Sequence, residues 1–148
     1  NFVVTIDITT NRCYNIVVTE TVTTILTEES IMSNYSKTTV KPDARTELHD
    51  ILSLTGAEVS INNLPAGAGV PFVHSHKNNE EIYAVVSGRG KAVIDGKTVE
   101  LSTGDWLRIS PAAKRQFSAA EDSPITFFCI QVKENSLGGY TQNDAVVE

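Results

Sequence analysis

The stretch HSHKNNEEIYAVVSG, His74 to Gly88, decides how the rest of the chain is read. On a strand, side chains two residues apart share a face. His74 and His76 then point one way beside Phe72, while Val73 and Ser75 point the other. Farther on, Glu81 and Tyr83 share a face and Glu80 and Ile82 take the opposite one. If these two segments pair as antiparallel strands, two imidazoles and one carboxylate converge on one side of a sheet. Imidazole and carboxylate suit Zn, Fe, Ni, Cu or Mn, and two histidines with one carboxylate is a donor set used for non-haem iron. The plainer alternative is a pair of polar strand residues facing solvent. His-x-His alone is weak, because spaced histidines occur on strands by chance. The same pair followed by a glutamate, an alternating run and a glycine is far more specific.

Outward from this stretch the chain reads as strand, turn, strand. Residues 57–65 (AEVSINNLP), 69–76 (GVPFVHSH) and 80–88 (EEIYAVVSG) alternate apolar and polar, with a turn expected at Gly88. Residues 90–101 (GKAVIDGKTVEL) read as a hairpin with Asp95-Gly96 at its turn, a pair suited to a type I′ loop. STGD at 102–105 marks another turn, followed by WLRIS, KRQFSA and ITFFCIQVK. Short strands at this spacing predict an all-β antiparallel sandwich or barrel. Leu48, Ile51, Leu52 and Leu54 predict a short helical turn ending by Gly56, with His49 in a structural or exposed role. Residues 1–31 differ from the rest: NFVVTIDITT and NIVVTETVTTIL are rich in β-branched residues and predict a β-rich N-terminal extension, with the main domain over 32–148 beginning at the only methionine, Met32. Such an arm wants a sheet edge to pair with, and a second subunit would supply one.

The bulk properties narrow the function classes. The 148 residues suit one core. A net charge of -6 argues against nucleic acid or an anionic membrane as the main partner. No apolar run approaches the ~20 residues that span a bilayer. Cys13 and Cys129 do not make a disulfide framework, and two free thiols in a reducing cytoplasmic compartment are expected. There is no phosphate-binding glycine loop, no serine elbow, and no histidine beside either cysteine in sequence.

The quoted motif resembles the first signature of the cupin superfamily, small jelly-roll β-barrels. There His-x-His precedes a glutamate by three or four residues, and a glycine closes the motif after six more. His74, His76, Glu81 and Gly88 fit this spacing, which selects Glu81 over Glu80; the leading glycine is off by one, at Gly67 or Gly69. The second signature, GDxxxIPPGxxHxF, is similar to GDWLRISPAAKRQF at 104–117. Gly104, Asp105, Ile109, Pro111 and Phe117 match, Ser110 and Ala112 replace a proline and a glycine, and Arg115 stands where the third metal-binding histidine is expected. The resemblance covers about residues 56–133. It implies a single cupin-type barrel, often dimeric, with His74, His76 and Glu81 as ligands of a divalent transition metal.

Arg115 opens three arrangements. A guanidinium cannot ligate a metal, but it holds carboxylates in a bidentate fork. In the first, the metal stays and Arg115 orients a small anionic substrate, although its repulsion of the ion costs on the order of several kcal/mol at an effective dielectric of about 20. In the second, the metal is gone and Arg115 pairs with Glu81 in a ligand-binding or sensing barrel. In the third, Arg115 turns outward and Gln116 substitutes across a bulge. Tyr83, whose hydroxyl wants a partner when buried, is expected to touch the ligand, with Gln131 as a further polar group. Phe72 and Phe117 are expected in the core, and Trp106 near the cavity. The leading expectation is a metal-binding barrel acting on a small anionic organic molecule, as an oxygenase, isomerase or decarboxylase; the others are a metal-free binding barrel and a purely structural one.

Overall fold

A computed structural model describes residues 34–139 and 144–147. The expected extension at 1–31 and its exchange between subunits lie outside the described residues.

Among the described residues, seven antiparallel strands and one helical turn follow one another: β1 (Arg45–Glu47), α1 (His49–Leu52), β2 (Glu58–Leu64), β3 (Asn79–Ile94), β4 (Lys97–Ser102), β5 (Trp106–Ile109), β6 (Arg115–Ala119) and β7 (Ile125–Lys133). The first half of β3 lies between β7 and β5, and β2 and β1 continue the sheet beyond β7. The second half of β3 lies between β4 and β6. β3 therefore belongs to both sheets of the jelly roll, and the core fills the space between them.

Two expectations change here. The chain does not turn at Gly88. It bends within β3, with a register shift between Val85 and Ser87 and a φ of 83° at Gly88. A Cβ at Gly88 would stand 1.8 Å from the Pro124 carbonyl oxygen, so only glycine fits the bend. The segment 69–76 is also not a regular strand. It touches the barrel at two isolated bridges, Gly69–Ser118 and His74–Arg115. Val70 N–H donates to the Phe117 carbonyl and His74 N–H to that of Arg115. Pro71 between them has no N–H to give, so the ladder is interrupted. Phe72 accordingly stands 57% exposed rather than in the core, and Trp106 is 70% exposed.

The hairpin turn is as expected: Asp95 and Gly96 have φ of 47° and 79°, and Ile94 pairs Lys97. At the STGD turn, Asp105 N–H donates to the Ser102 carbonyl. The core stacks Tyr83 on Phe117 at 4.2 Å between ring centroids and Phe117 near Phe127 at 5.3 Å. Val85, Ala92, Leu101, Ile109, Ala119 and Ile125 close around them.

Candidate metal centre

Alternation on β3 turns Glu81, Tyr83 and Val85 inward. On β7 the same rule turns in Phe127, Cys129 and Gln131, and the register sets Gln131 opposite Glu81 and Cys129 opposite Tyr83. Glu80 points outward to an ion pair with Arg108. The loop carrying His74 and His76 is pinned across β6 rather than β3: His74 and Arg115 exchange both backbone hydrogen bonds, and His76 N–H donates to the Pro111 carbonyl. This crossing brings the imidazoles over Glu81.

Glu81 is 3% exposed and sits at the centre of the cluster. Tyr83 donates to its Oε2 at 2.7 Å, and Arg115 Nε stands 3.0 Å from the same oxygen. Oε1 accepts from Gln131 Nε2 at 3.2 Å and from the Cys129 thiol at 3.5 Å. His76 Nε2 lies 3.0 Å from Oε1, and His74 Nε2 lies 3.9 Å from Oε2. The two imidazoles meet edge to face at 5.3 Å, with Phe72 against His74 at 5.5 Å. Arg115 is wholly buried, and its Nη1 donates to the carbonyls of Ala113 at 2.8 Å and Pro111 at 3.1 Å. The other four expected residues, His74, His76, Tyr83 and Arg115, thus converge on the carboxylate of the fifth, Glu81. Arg115 does not turn outward; Gln116 instead donates to the Val70 carbonyl.

Two of the contacts are close without being aligned hydrogen bonds. His76 Nε2 and Arg115 Nε are buried and each within 3.0 Å of Glu81, yet neither N–H points along that line, and His74 Nδ1 and Arg115 Nη2 are also without a partner. Arg115 and Glu81 form a charge pair, while His76 presents a nitrogen that no protein acceptor satisfies. One ligand atom from each of His74, His76 and Glu81 lies within 4.8 Å of the others, close enough to share an ion.

The electrostatics favour the ligating protonation states of Glu81 and His74. Burial pushes the Glu81 pKa up, but the Tyr83 hydrogen bond, the charges of His76 and Arg115, and the Gln131 hydrogen bond outweigh it and hold the carboxyl below its ordinary value. His74 is held below its ordinary value chiefly by burial, with Arg115 and His76 adding to it and Glu81 opposing. Burial, then the Glu81 charge, pushes the Cys129 thiol up to about 12, and Tyr83 is raised by burial, then by Cys129 and Glu81. Glu81 is therefore held as a carboxylate and His74 toward the neutral imidazole, beside two neutral donors, Tyr83 and Cys129.

Cys129 gave no signal in the sequence, since no histidine stands near it. Its place follows from the alternation of ITFFCIQVK once Phe127 is known to face inward. Gln131, expected only as a further pocket group, holds Glu81 directly.

Residues 61–131 match the family described as the Cupin domain. A crystal structure of a cupin protein from Bacteroides fragilis is 68% identical, covers 79% of this chain and 99% of its own, and superposes with a TM-score of 0.77. A sugar phosphate isomerase from a cupin superfamily, from Silicibacter pomeroyi, is 25% identical over 62% of this chain and 60% of its own, with a TM-score of 0.53. An uncharacterized protein of Methanocaldococcus jannaschii is 29% identical over 45% of this chain, which spans about half (52%) of that relative's length. With the jelly roll and both motif regions in place, this chain belongs to the cupin superfamily.

Proposed function

We propose that the protein is a metal-binding cupin in which Nε2 of His74, Nε2 of His76 and Oε1 of Glu81 hold a divalent transition ion, leaving further positions for a small anionic organic ligand. The observation that carries this reading is the buried His76 Nε2, close to a carboxylate and a second imidazole but satisfied by neither. Buried polar atoms are normally paired, so an orphan among ligand-type groups marks a place for an ion. The donor set suits Zn, Fe, Mn, Ni or Cu. When bound, such an ion supplies Lewis acidity.

The chain's own residues prepare this centre. Tyr83 and Arg115 hold Oε2, while Oε1, contacted more loosely by Gln131 and Cys129, is the oxygen nearest His76 Nε2, at 3.0 Å. The two backbone carbonyls that hold Arg115 fix its guanidinium behind the carboxylate. Tyr83 and Arg115 then act by orienting a ligand residue, as outer groups do around many metal sites. The histidine side is the open side, with His74 side chain 30% and His76 23% exposed. An ion beside one carboxylate and one guanidinium keeps uncompensated positive charge, which favours an anionic ligand. A cupin neighbour named as a sugar phosphate isomerase is in keeping with this.

A second reading rests on the Glu81–Arg115 distance of 3.0 Å. That pair is neutral without any ion, and a metal-free barrel would use the histidines as hydrogen-bonding groups. Titration with Co(II), followed by its visible absorption, separates the two. A one-to-one endpoint that disappears in His76→Ala supports the metal centre; no Co(II) spectrum in the wild type favours the metal-free barrel.

A further inference from the structure

Three consecutive apolar side chains, Pro71, Phe72 and Val73, stand exposed immediately before His74. Phe72 is 57% and Val73 59% exposed. Single exposed apolar residues are ordinary on a protein surface. An unbroken exposed run is not, and it points to a use. Its position says what it serves. The Phe72 ring meets the His74 imidazole edge to face, at 5.5 Å between centroids and 65° between planes, and His74 meets His76 in the same way at 5.3 Å. A row of three rings therefore leads from the exposed rim to Glu81, which His76 Nε2 approaches to 3.0 Å. Phe72 is the outer ring of this row, on the histidine side where the centre is open.

The ring is also held in place. Val70 N–H donates to the Phe117 carbonyl at 2.9 Å, and His74 exchanges backbone bonds with Arg115 at 3.1 and 2.9 Å, so the chain is pinned on both sides of Phe72. Gln116 Nε2 adds a bond to the Val70 carbonyl at 2.8 Å. Pro71, between these anchors, has its φ locked by its ring. Phe72 has few rotatable bonds, so it loses little freedom when a ligand packs on it. It carries no polar group and offers apolar surface alone.

We propose that Phe72 holds the apolar end of a small organic anion whose charged head sits at the His74–His76–Glu81 centre. This rests on the reading of that centre as a metal site and names the ligand class: an acid with an apolar ring a short spacer away from its anionic head. The spacer is short because Phe72 and His74 are themselves in ring contact. Burying an apolar group of this size against an aromatic ring tightens binding about tenfold.

Calorimetric titration of Co(II)-loaded protein with acetate, phenylacetate and cyclohexylacetate tests this. At least one of the ring-bearing acids should bind the wild type about tenfold tighter than acetate. The readout is the ratio of affinities within one protein, so altered metal loading does not imitate the effect. Phe72→Ala should bring that acid to within about twofold of acetate, while Phe72→Leu, which keeps apolar bulk, should retain part of the preference. No preference for either ring-bearing acid in the wild type, or a preference that survives Phe72→Ala, overturns the proposal. If the wild type takes up no Co(II), the metal reading fails by itself, and the same titrations on metal-free protein decide the apolar subsite: a preference that depends on Phe72 supports it, and equal or absent binding of the acids overturns it.

Discussion

Arg115 Nε stands 3.0 Å from Glu81 Oε2, and both side chains are buried, at 0% and 4% exposure. The residue that departs from the expected third histidine thus neither ligates nor faces solvent. It fixes the one carboxylate of the centre from behind, and its own position is set by two backbone carbonyls of the preceding turn.

Glu81→Ala leaves that guanidinium buried without its counter-charge. Breaking a buried pair by removing one member costs about 3–5 kcal/mol. The urea midpoint of the variant should fall accordingly. A midpoint equal to that of the wild type would mean that the pair does not support the fold.

Arg115→His should separate stability from metal affinity. The imidazole would stand across the isolated bridge from His74, and the fixed cation beside the site would be gone. Metal affinity should rise at least about tenfold, as removal of a nearby like charge predicts. The carbonyls of Pro111 and Ala113 lose their donor, which costs about 1–3 kcal/mol. Chelator competition and urea unfolding read the two effects. Tighter metal binding with no loss of stability would mean that those carbonyls find another donor.

Acid should destabilise the protein in two steps. His74 and Glu81 are both held below their ordinary values, 6.5 and 4.5, so between folded and unfolded pKa the unfolded chain binds more protons. The stabilisation is fully present above each unfolded value and is lost as pH falls through the folded one. Stability should therefore decline first below 6.5, from His74, and again below 4.5, from Glu81. Tyr83→Phe removes the strongest influence that lowers Glu81, so its lower step should move to higher pH, and at neutral pH the lost hydrogen bond costs about 1–2 kcal/mol. Urea midpoints measured from pH 3 to 8 check both steps, and a flat profile would contradict them.

Gly88→Ala tests the bend that lets β3 serve both sheets. Its φ of 83° and the Pro124 carbonyl, 1.8 Å from where a Cβ would sit, both exclude a side chain. A loss of at least ~2 kcal/mol is expected from backbone strain together with overpacking. Thermal unfolding would reveal it, and a wild-type melting temperature would show that the bend can relax.

Much of this was legible in the sequence because alternation is a strong rule within a strand. It placed Glu81 inside and Glu80 outside, and it put Tyr83 beside Glu81. It failed where backbone pairing is broken. Pro71 cannot continue a ladder, so the histidines ride on a loop bridged to β6, and Phe72 is exposed. Gly88 looked like a turn, because a glycine that bends a strand and one that ends it are the same letter. Cys129 became a site residue only through the register of β7 against β3, which local sequence does not encode, and the same register set Gln131, expected in the pocket, opposite Glu81. Arg115 is the clearest case: its identity raised the question, but only the two carbonyls that hold it determine that it serves Glu81.

The central claim is that His74, His76 and Glu81 hold a metal ion. Elemental analysis of protein purified without chelator or a histidine tag tests it most directly. The account predicts close to one equivalent of a transition metal per chain, lost in His76→Ala. Metal-free protein that also takes up no added Zn, Fe, Mn, Ni or Cu would contradict it and leave the Glu81–Arg115 pair as the organising feature of a ligand-binding barrel.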